Sequence, residues 1–351
     1  MEAVIKVDGP EGSRELEEAC RNLPQREDLS AFFIEVIFPR LEMDRWLSEL
    51  VSLVPMGSVT TFGALASALG TVRASRAVGE LISIGSVNGP VHRVVYSDGS
   101  VPERSVEELS TEVPTVYKIE KDRMVGFELE SPPLYSLISI QEVLSNRGDK
   151  EFERRISTVA GMDISSKDNV HAGAMIVMDR EGKELNEVVH LGDVRFPYIP
   201  GLLFFREALI LIPLLDKARS LGMVNSETLL VLDGNGILHP RRMGVAVQFG
   251  MVTDTMTCGI AKRLMIGQRG APKKVDDLRS TASVTEGCEE IGTALIKEGT
   301  KPVYLSKGHG CSRKEITDVI LGLWRSRIPE PTRRAHILAN EARKTSPSGK
   351  F

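Results

Sequence analysis

Cysteine is scarce in this chain, and the little there is forms no pattern. Cys20, Cys258, Cys288 and Cys311 stand far apart, with no CxxC pair. That spacing excludes a disulfide framework and a cysteine-built zinc site, and it points to a reduced, cytoplasmic setting. Long apolar runs are also absent. The nearest, GLLFFREALILIPLL, is broken by Arg206 and Glu207, so no membrane span is expected. The opening residues, MEAVIKVDGPEGSRELEEA, are acidic and lack the apolar core of a secretion signal. Nor is there an excess of positive charge. The 44 Lys and Arg are outnumbered by 48 Asp and Glu, for a net charge of −4. Bulk attraction to nucleic acid is therefore not written into the composition.

The distribution of charge says more. His239 to Lys274 holds seven Lys or Arg and a single acid, Asp254, and Arg325 to Lys344 holds six against two acids. Such stretches serve either as solvated helix faces or as surfaces for phosphate. A length of 351 residues is enough for two or three domains, and 42% hydrophobic content is enough for real cores. A change of rhythm at FELESPPLY places a boundary near residues 128–134. Before it, DRWLSELVSLVP, TFGALASALG and SRAVGELISIG read as short helices, with MGSVTT a turn or short strand and VHRVVYSDG a strand-like hairpin. This is the outline of a helix-turn-helix or winged-helix module. After it, ISTVAGMDIS reads as a strand ending at an acid. A hairpin, a long helix, the strand TLLVLDG, a helix, the strand TMTCGIAK, two more strands and two closing helices follow. Three strands in a meander and then alternating helix and strand is the order of a ribonuclease-H-like α/β fold.

Asp163 and Asp233 are the first chemistry-bearing residues of that order. An Asp at the mouth of a strand is a common turn residue, but two on neighbouring strands suit a hard cation such as Mg2+. Glu207 lies in an otherwise apolar helix, where a carboxylate needs Arg206 or a shared metal as partner. DGNGILHPRR adds His239, Arg241 and Arg242. Lys262 ends the next strand, and His336 sits on a basic helix. Carboxylates with metal, His and Lys suit phosphodiester hydrolysis. PVHRVV is different: His92 and Arg93 stand together with no Ser, Cys or acid close before them.

In order along the chain, VAGMDIS, FPYIPGLLFFRE, VLDGNGILHPRR, GIAKRL, SKGH and RIPEPTRRAH resemble endonuclease V over roughly residues 130–345. The resemblance implies cleavage of the second phosphodiester bond on the 3′ side of deoxyinosine or another deaminated base. It implies Mg2+ as cofactor, with Mn2+ able to substitute. Carried over, Asp163, Glu207, Asp233 and His336 are the metal residues, and His239 and Lys262 are catalytic or phosphate-contacting. Pro197, Tyr198, Ile199 and Pro200 form a strand-separating wedge, and Arg241, Arg242 and His309 join the DNA face. Separately, VPMGSVTTFGALASALG, SRAVG and PVHRVVYSDGS resemble the DNA-binding domain of alkylguanine-DNA alkyltransferases over residues 44–101. Val91 stands where that family carries its alkyl-accepting Cys, so alkyl transfer is not available and the likeness is to the non-catalytic, alkyltransferase-like proteins. Arg76 is then the intercalating arginine. Phe62 takes the place of a Tyr that rotates the phosphate. Val91, His92 and Arg93 line or support a pocket for alkylated guanine.

The expected organisation is thus an alkyltransferase-like region over 1–128, an endonuclease V domain over 129–345 and a disordered tail over 346–351. The expected partner is DNA carrying deaminated or alkylated bases. A non-cleaving damage sensor and an inosine-directed ribonuclease are the rival readings.

Overall fold

The computed structural model describes residues 3–113, 118–148, 152, 155–167 and 170–345; the expected tail at 346–351 lies outside them. Among the described residues no helix is long and apolar enough to cross a membrane. In chain order come β1 (Ala3–Val7), α1 (Ser13–Arg21), α2 (Leu29–Phe32), α3 (Met43–Ser52), β2 (Thr60–Thr61), α4 (Phe62–Ala68), α5 (Ser75–Ser83), β3 (Val94–Val95), α6 (Val106–Ser110), β4 (Val125–Leu129) and α7 (Pro133–Asn146). Contacts divide the chain into two compact units: Met1–Leu23, Ile34–Ile140 and Arg195–Pro200 in the first, and Pro24–Phe33, Gln141–Val194 and Gly201–Phe351 in the second.

The first unit is built from short helices with apolar residues on one face. On α3 the buried set is Met43, Trp46, Leu47, Leu50 and Val51, the spacing of a single helical stripe. Thr61 caps α4 by accepting a hydrogen bond from the Ala64 N–H at 3.0 Å. The expected VHRVVYSDG hairpin is modified. Val91–Arg93 is a 3-10 turn, and the two residues of β3 pair in parallel with β2, Thr60 opposite Val94. The Tyr96–Ser100 turn does close, with Tyr96 N–H on the Ser100 carbonyl. An unexpected strand, β1, pairs in parallel with β4.

The second unit adds β5 (Thr158–Lys167), β6 (Val170–Asp179), β7 (Glu184–Gly192), α8 (Leu203–Ser220), β8 (Thr228–Asp233), α9 (Val245–Thr253), β9 (Thr257–Ala261), β10 (Gln268–Arg269), β11 (Lys273–Lys274), β12 (Arg279–Glu286), β13 (Glu289–Lys297), β14 (Val303–Lys307), α10 (Arg313–Gly322) and α11 (Glu330–Thr345). One sheet runs β10-β12-β13-β14-β9-β8-β5-β6-β7, with β11 also on β12. The meander β5-β6-β7 and the parallel set β9-β8-β5 follow the expected order. β6 is apolar nearly throughout because both faces are covered. Gly173 lies against Ile210 and Leu214 of α8, while Ile176 and Met178 pack on Ala335 of α11. The strand at RSTASVTE, β12, has a half-exposed, mixed pattern and was not expected.

One expectation needs correction. β5 does not end at Asp163, its sixth residue. Its parallel pairing with β8 stops at Met162, opposite Leu232, while its antiparallel pairing with β6 continues to Lys167. Asp163 is therefore at the mouth of the parallel strands without being at the end of its own.

β5 and α11 approach closely at Gly161. A Cβ there would stand 2.0 Å from the Pro331 carbonyl oxygen and 2.7 Å from the Thr332 nitrogen. Gly161→Ala should cost at least about 1–3 kcal/mol, since backbone must shift to admit it. An unchanged urea midpoint would show that the approach is looser than described.

Candidate functional site

In the second unit the sheet order delivers the charged groups side by side. β8 and β5 are parallel neighbours, so Asp233 ends one strand beside Asp163 on the other. β9 lies next, and Lys262 follows its last residue and forms an ion pair with Asp233. Glu207 comes from the second turn of α8, and His336 from α11 donates Nδ1–H to Asp163 Oδ2 at 2.6 Å.

The electrostatics are those of crowded acids. Glu207 is held well above the usual carboxylate range, first by loss of solvent and then by the charges of Asp163 and Asp233. Asp233 is raised for the same two reasons, burial and Asp163, with Lys262 pulling the other way. Lys262 keeps its proton more firmly than usual: burial opposes its charge, but Asp233 outweighs that. His336 is raised, first by its hydrogen bond to Asp163. Among the described residues no group of three His, Cys, Asp or Glu is arranged so that it could hold a metal ion as it stands. Lys262 and His336 instead sit on two of the acids. The donor set, three all-oxygen ligands that repel one another, nevertheless fits a hard divalent cation.

Four other expected residues are placed elsewhere. His239 is buried, its Nδ1 accepting from the Arg241 main-chain N–H at 3.3 Å and its Nε2 on the Gly201 carbonyl at 3.2 Å. Both ring nitrogens hold main chain, which makes the ring a loop clamp and not a phosphate contact. Arg241 turns its guanidinium onto Gln141 Oε1, at 2.8 and 2.6 Å, and the Gly201 carbonyl. His309, expected on the DNA face, is 0% exposed with its ring edge-on to Phe152, so it is a packing residue. Arg242 is bound to Glu286 and Glu289.

Missing from the sequence reading were Ser165, Asn340 and Arg343, which hydrogen-bond behind His336. The signal was present: Asp163 and Ser165 share a strand face, and 336, 340 and 343 share a helix face.

In the first unit, Phe62 and Arg76 do meet, lining one cavity of about 900 Å3 with Gly79, Tyr96, Glu103 and Arg104. The Phe62 and Tyr96 rings are 5.4 Å apart. His92 and Arg93 are turned onto an acid of their own unit. Both bind Glu112: Arg93 Nε and Nη2 donate to it at 2.8 and 2.7 Å, and His92 Nε2 lies 3.0 Å away. Val91 is partly buried in the turn before them. Tyr198 is 52% exposed between buried Pro197 and Ile199, with Pro200 half-buried, so the loop is anchored and presents one aromatic ring.

The chain matches the family described as Endonuclease V over residues 140–337, and the 6-O-methylguanine DNA methyltransferase, DNA binding domain, over residues 43–113. The endonuclease V of Dictyoglomus thermophilum is 35% identical over 210 residues, 58% of this chain and 89% of that protein. A bifunctional methyltransferase/endonuclease of Thermoplasma volcanium is 32% identical over 247 residues, 66% of this chain and 73% of that one. Among solved structures, Streptomyces avermitilis endonuclease V is 32% identical with a TM-score of 0.52, covering 60% of this chain and 92% of that one. Ciona intestinalis endonuclease V, in complex with a 24mer DNA containing an inosine followed by a ribo-adenosine, is 25% identical with a TM-score of 0.53, covering 60% and 98%.

The Glu112 knot has a pH signature. Its carboxyl drops from 4.5 to about 2, chiefly through the Arg93 hydrogen bonds, with burial opposing and His92 and the Gly57 N–H adding. A depressed acid stabilises the fold fully above its unfolded value, so this contribution should fade as pH falls from 4.5 toward 2. Glu112→Gln leaves Arg93 without its counter-charge and should cost roughly 3 kcal/mol at neutral pH. The variant should also lose less stability than wild type on acidification, measured by urea unfolding at each pH.

Proposed function

The chain belongs to the endonuclease V family, and on that footing we propose that its second unit nicks DNA near a deaminated purine while its first unit binds DNA without transferring an alkyl group. The convergence of Asp163, Glu207, Asp233 and Lys262 at the mouth of the parallel strands carries the first half of this reading. The family is one of hydrolytic endonucleases. In hydrolysis, water adds to phosphorus, the bond to the 3′ oxygen breaks and that oxygen takes up a proton, leaving 3′-hydroxyl and 5′-phosphate ends. The proposed position is the second phosphodiester bond on the 3′ side of deoxyinosine.

Asp163, Glu207 and Asp233 are the residues that would hold Mg2+, or Mn2+ in its place. Bound there, the ion lowers the pKa of water and offsets charge on the phosphate. The protein's own groups do the rest. Asp163 and Asp233 are brought side by side by neighbouring strands, and Glu207 comes to them from α8. Lys262, charged and poised on Asp233, is within the same cluster to meet the phosphate or the leaving oxygen. Tyr198, standing out of its anchored loop in the first unit, is proposed as a ring on which an unpaired base can stack.

The first unit is proposed as a reader of alkylated guanine. Val91 offers no nucleophile, and none of the four cysteines falls within residues 43–113. The cavity between Phe62, Arg76 and Tyr96 has aromatic faces for a base and a cation for the strand it leaves. We place the functional division, as a proposal, at residues 1–128 and 129–345.

The test is nicking of 24-mer duplexes carrying inosine, O6-methylguanine or neither, with Mg2+ or with chelator. Inosine duplexes should be cut only with the metal, and Asp233→Asn should lower the rate at least about a hundredfold while binding persists. Binding without any cutting by wild type would make the protein a damage sensor. Faster cutting of inosine in RNA would make it a ribonuclease. Arg76→Ala should weaken binding of the O6-methylguanine duplex about tenfold and leave inosine cutting unchanged.

A further inference from the structure

Behind His336 a chain of hydrogen bonds runs with one direction. Arg343 Nε donates to Ser165 Oγ at 2.8 Å. Ser165 Oγ donates to Asn340 Oδ1 at 2.8 Å. Asn340 Nδ2 donates both to the His336 carbonyl oxygen at 2.8 Å and to His336 Nε2 at 3.0 Å. His336 Nδ1 donates to Asp163 Oδ2 at 2.6 Å.

The direction is not a matter of choice. A side-chain amide can be turned over, exchanging oxygen and nitrogen. Here the His336 carbonyl accepts only, so the amide atom beside it must be the nitrogen. The other amide atom, the oxygen, then faces the Ser165 hydroxyl. With –NH2 against it, His336 Nε2 must carry the lone pair and Nδ1 the hydrogen. Arg343, which can only donate, sets the Ser165 hydroxyl pointing toward Asn340.

The fold builds this alignment from two periodicities. Residues 161, 163 and 165 share one face of β5, and 336, 340 and 343 share one face of α11. Gly161, with no side chain, lets the start of α11 touch the strand. That contact sets the distance at which Asp163 meets His336, and Ser165 meets Asn340 and Arg343.

From this geometry we infer that His336 is a positioning residue and not a metal ligand, and that Asn340, Ser165 and Arg343 hold it in the Nδ1–H tautomer that orients Asp163. Its Nε2 lone pair is taken by Asn340 and its Nδ1 carries the hydrogen that Asp163 accepts. No ring nitrogen remains to coordinate a cation. Asp163 Oδ2 is held by the imidazole, which leaves Oδ1 as the oxygen for a cation. Asp163, Glu207 and Asp233 then form an all-oxygen set. The inference rests on the metal-site reading given above, and it replaces the coordination that family resemblance assigned to His336.

The test has a metal-free arm and a loaded arm. In metal-free full-length protein, two-bond 1H–15N NMR of the His336 ring should show the neutral Nδ1–H pattern, lost in Asn340→Ala. An Nε2–H pattern in wild type, or a pattern unchanged in Asn340→Ala, overturns the relay. In the loaded arm Mn2+ is the probe. Electron spin-echo spectra should show no directly coordinated imidazole nitrogen, and a 14N coupling abolished by His336→Ala would overturn the inference. Asn340→Ala should weaken Mn2+ binding about tenfold and lower kcat with KM for inosine DNA unchanged. Failure of wild type to bind Mn2+ at all would instead sink the metal-site reading, while the metal-free arm would still decide the relay.

Discussion

Three carboxylates that repel one another are held at one end of three parallel strands, and much of the second unit is arranged around that fact. The charge of Asp163 raises the proton affinity of Glu207 and Asp233, and that of Asp233 adds to the effect on Glu207, where solvent is too sparse to screen them. Left alone, such a cluster would neutralise itself by taking up protons. The fold supplies one cation and one hydrogen-bond donor instead, Lys262 from the strand on one side and the Nδ1–H of His336 from α11. Each pairs with a different aspartate. Glu207 is held well above the usual carboxylate range by burial, with Arg206 and Lys262 only partly offsetting the other acids. A site of this kind is unfavourable when empty and has affinity for positive charge as a direct consequence.

That cluster can be held only if β5 and α11 stay in register. The close contact at Gly161 and the Asp163–His336 bond lie five residues apart on α11, and the Asn340 and Arg343 contacts follow one and two turns later. A helix rotated by one residue would move all of them off the strand face together. The polar contacts therefore report on the same alignment as the backbone contact, and weakening any one of them loosens the aim of Asp163.

How much of this was legible follows from what local sequence encodes. TLLVLDG is a buried parallel strand by its unbroken apolar run, so Asp233 was found where it stands. Asp163 was misplaced by half a strand because β5 changes partners at Met162, and partner exchange leaves no local mark. β1 was missed because its partner is β4, with Ala3 opposite Val125, a pairing no window could see. His239, Arg241 and His309 are read as functional from residue type, motif and family resemblance. Type gives the chemistry a side chain can do, but direction comes from packing, and these three face inward. Asn340 and Ser165 were overlooked for the converse reason. Small polar residues draw no attention until a helix face and a strand face are laid together.

The two units treat an acid near the core in opposite ways, and the contrast separates scaffold from site. Glu112 is surrounded by Arg93, His92 and the Gly57 N–H, and its proton affinity falls. Every oxygen is used, nothing is left to bind, and the result is a structural knot that persists although Val91 gives the adjacent turn nothing to activate. Glu207 is surrounded by other acids, and its proton affinity rises. A His–Arg pair in sequence suggested chemistry at residues 92 and 93, yet that pair is consumed by its acid. The crowded acids begin seventy residues beyond Arg93, at Asp163, where the chain has gathered negative charge faster than it has neutralised it.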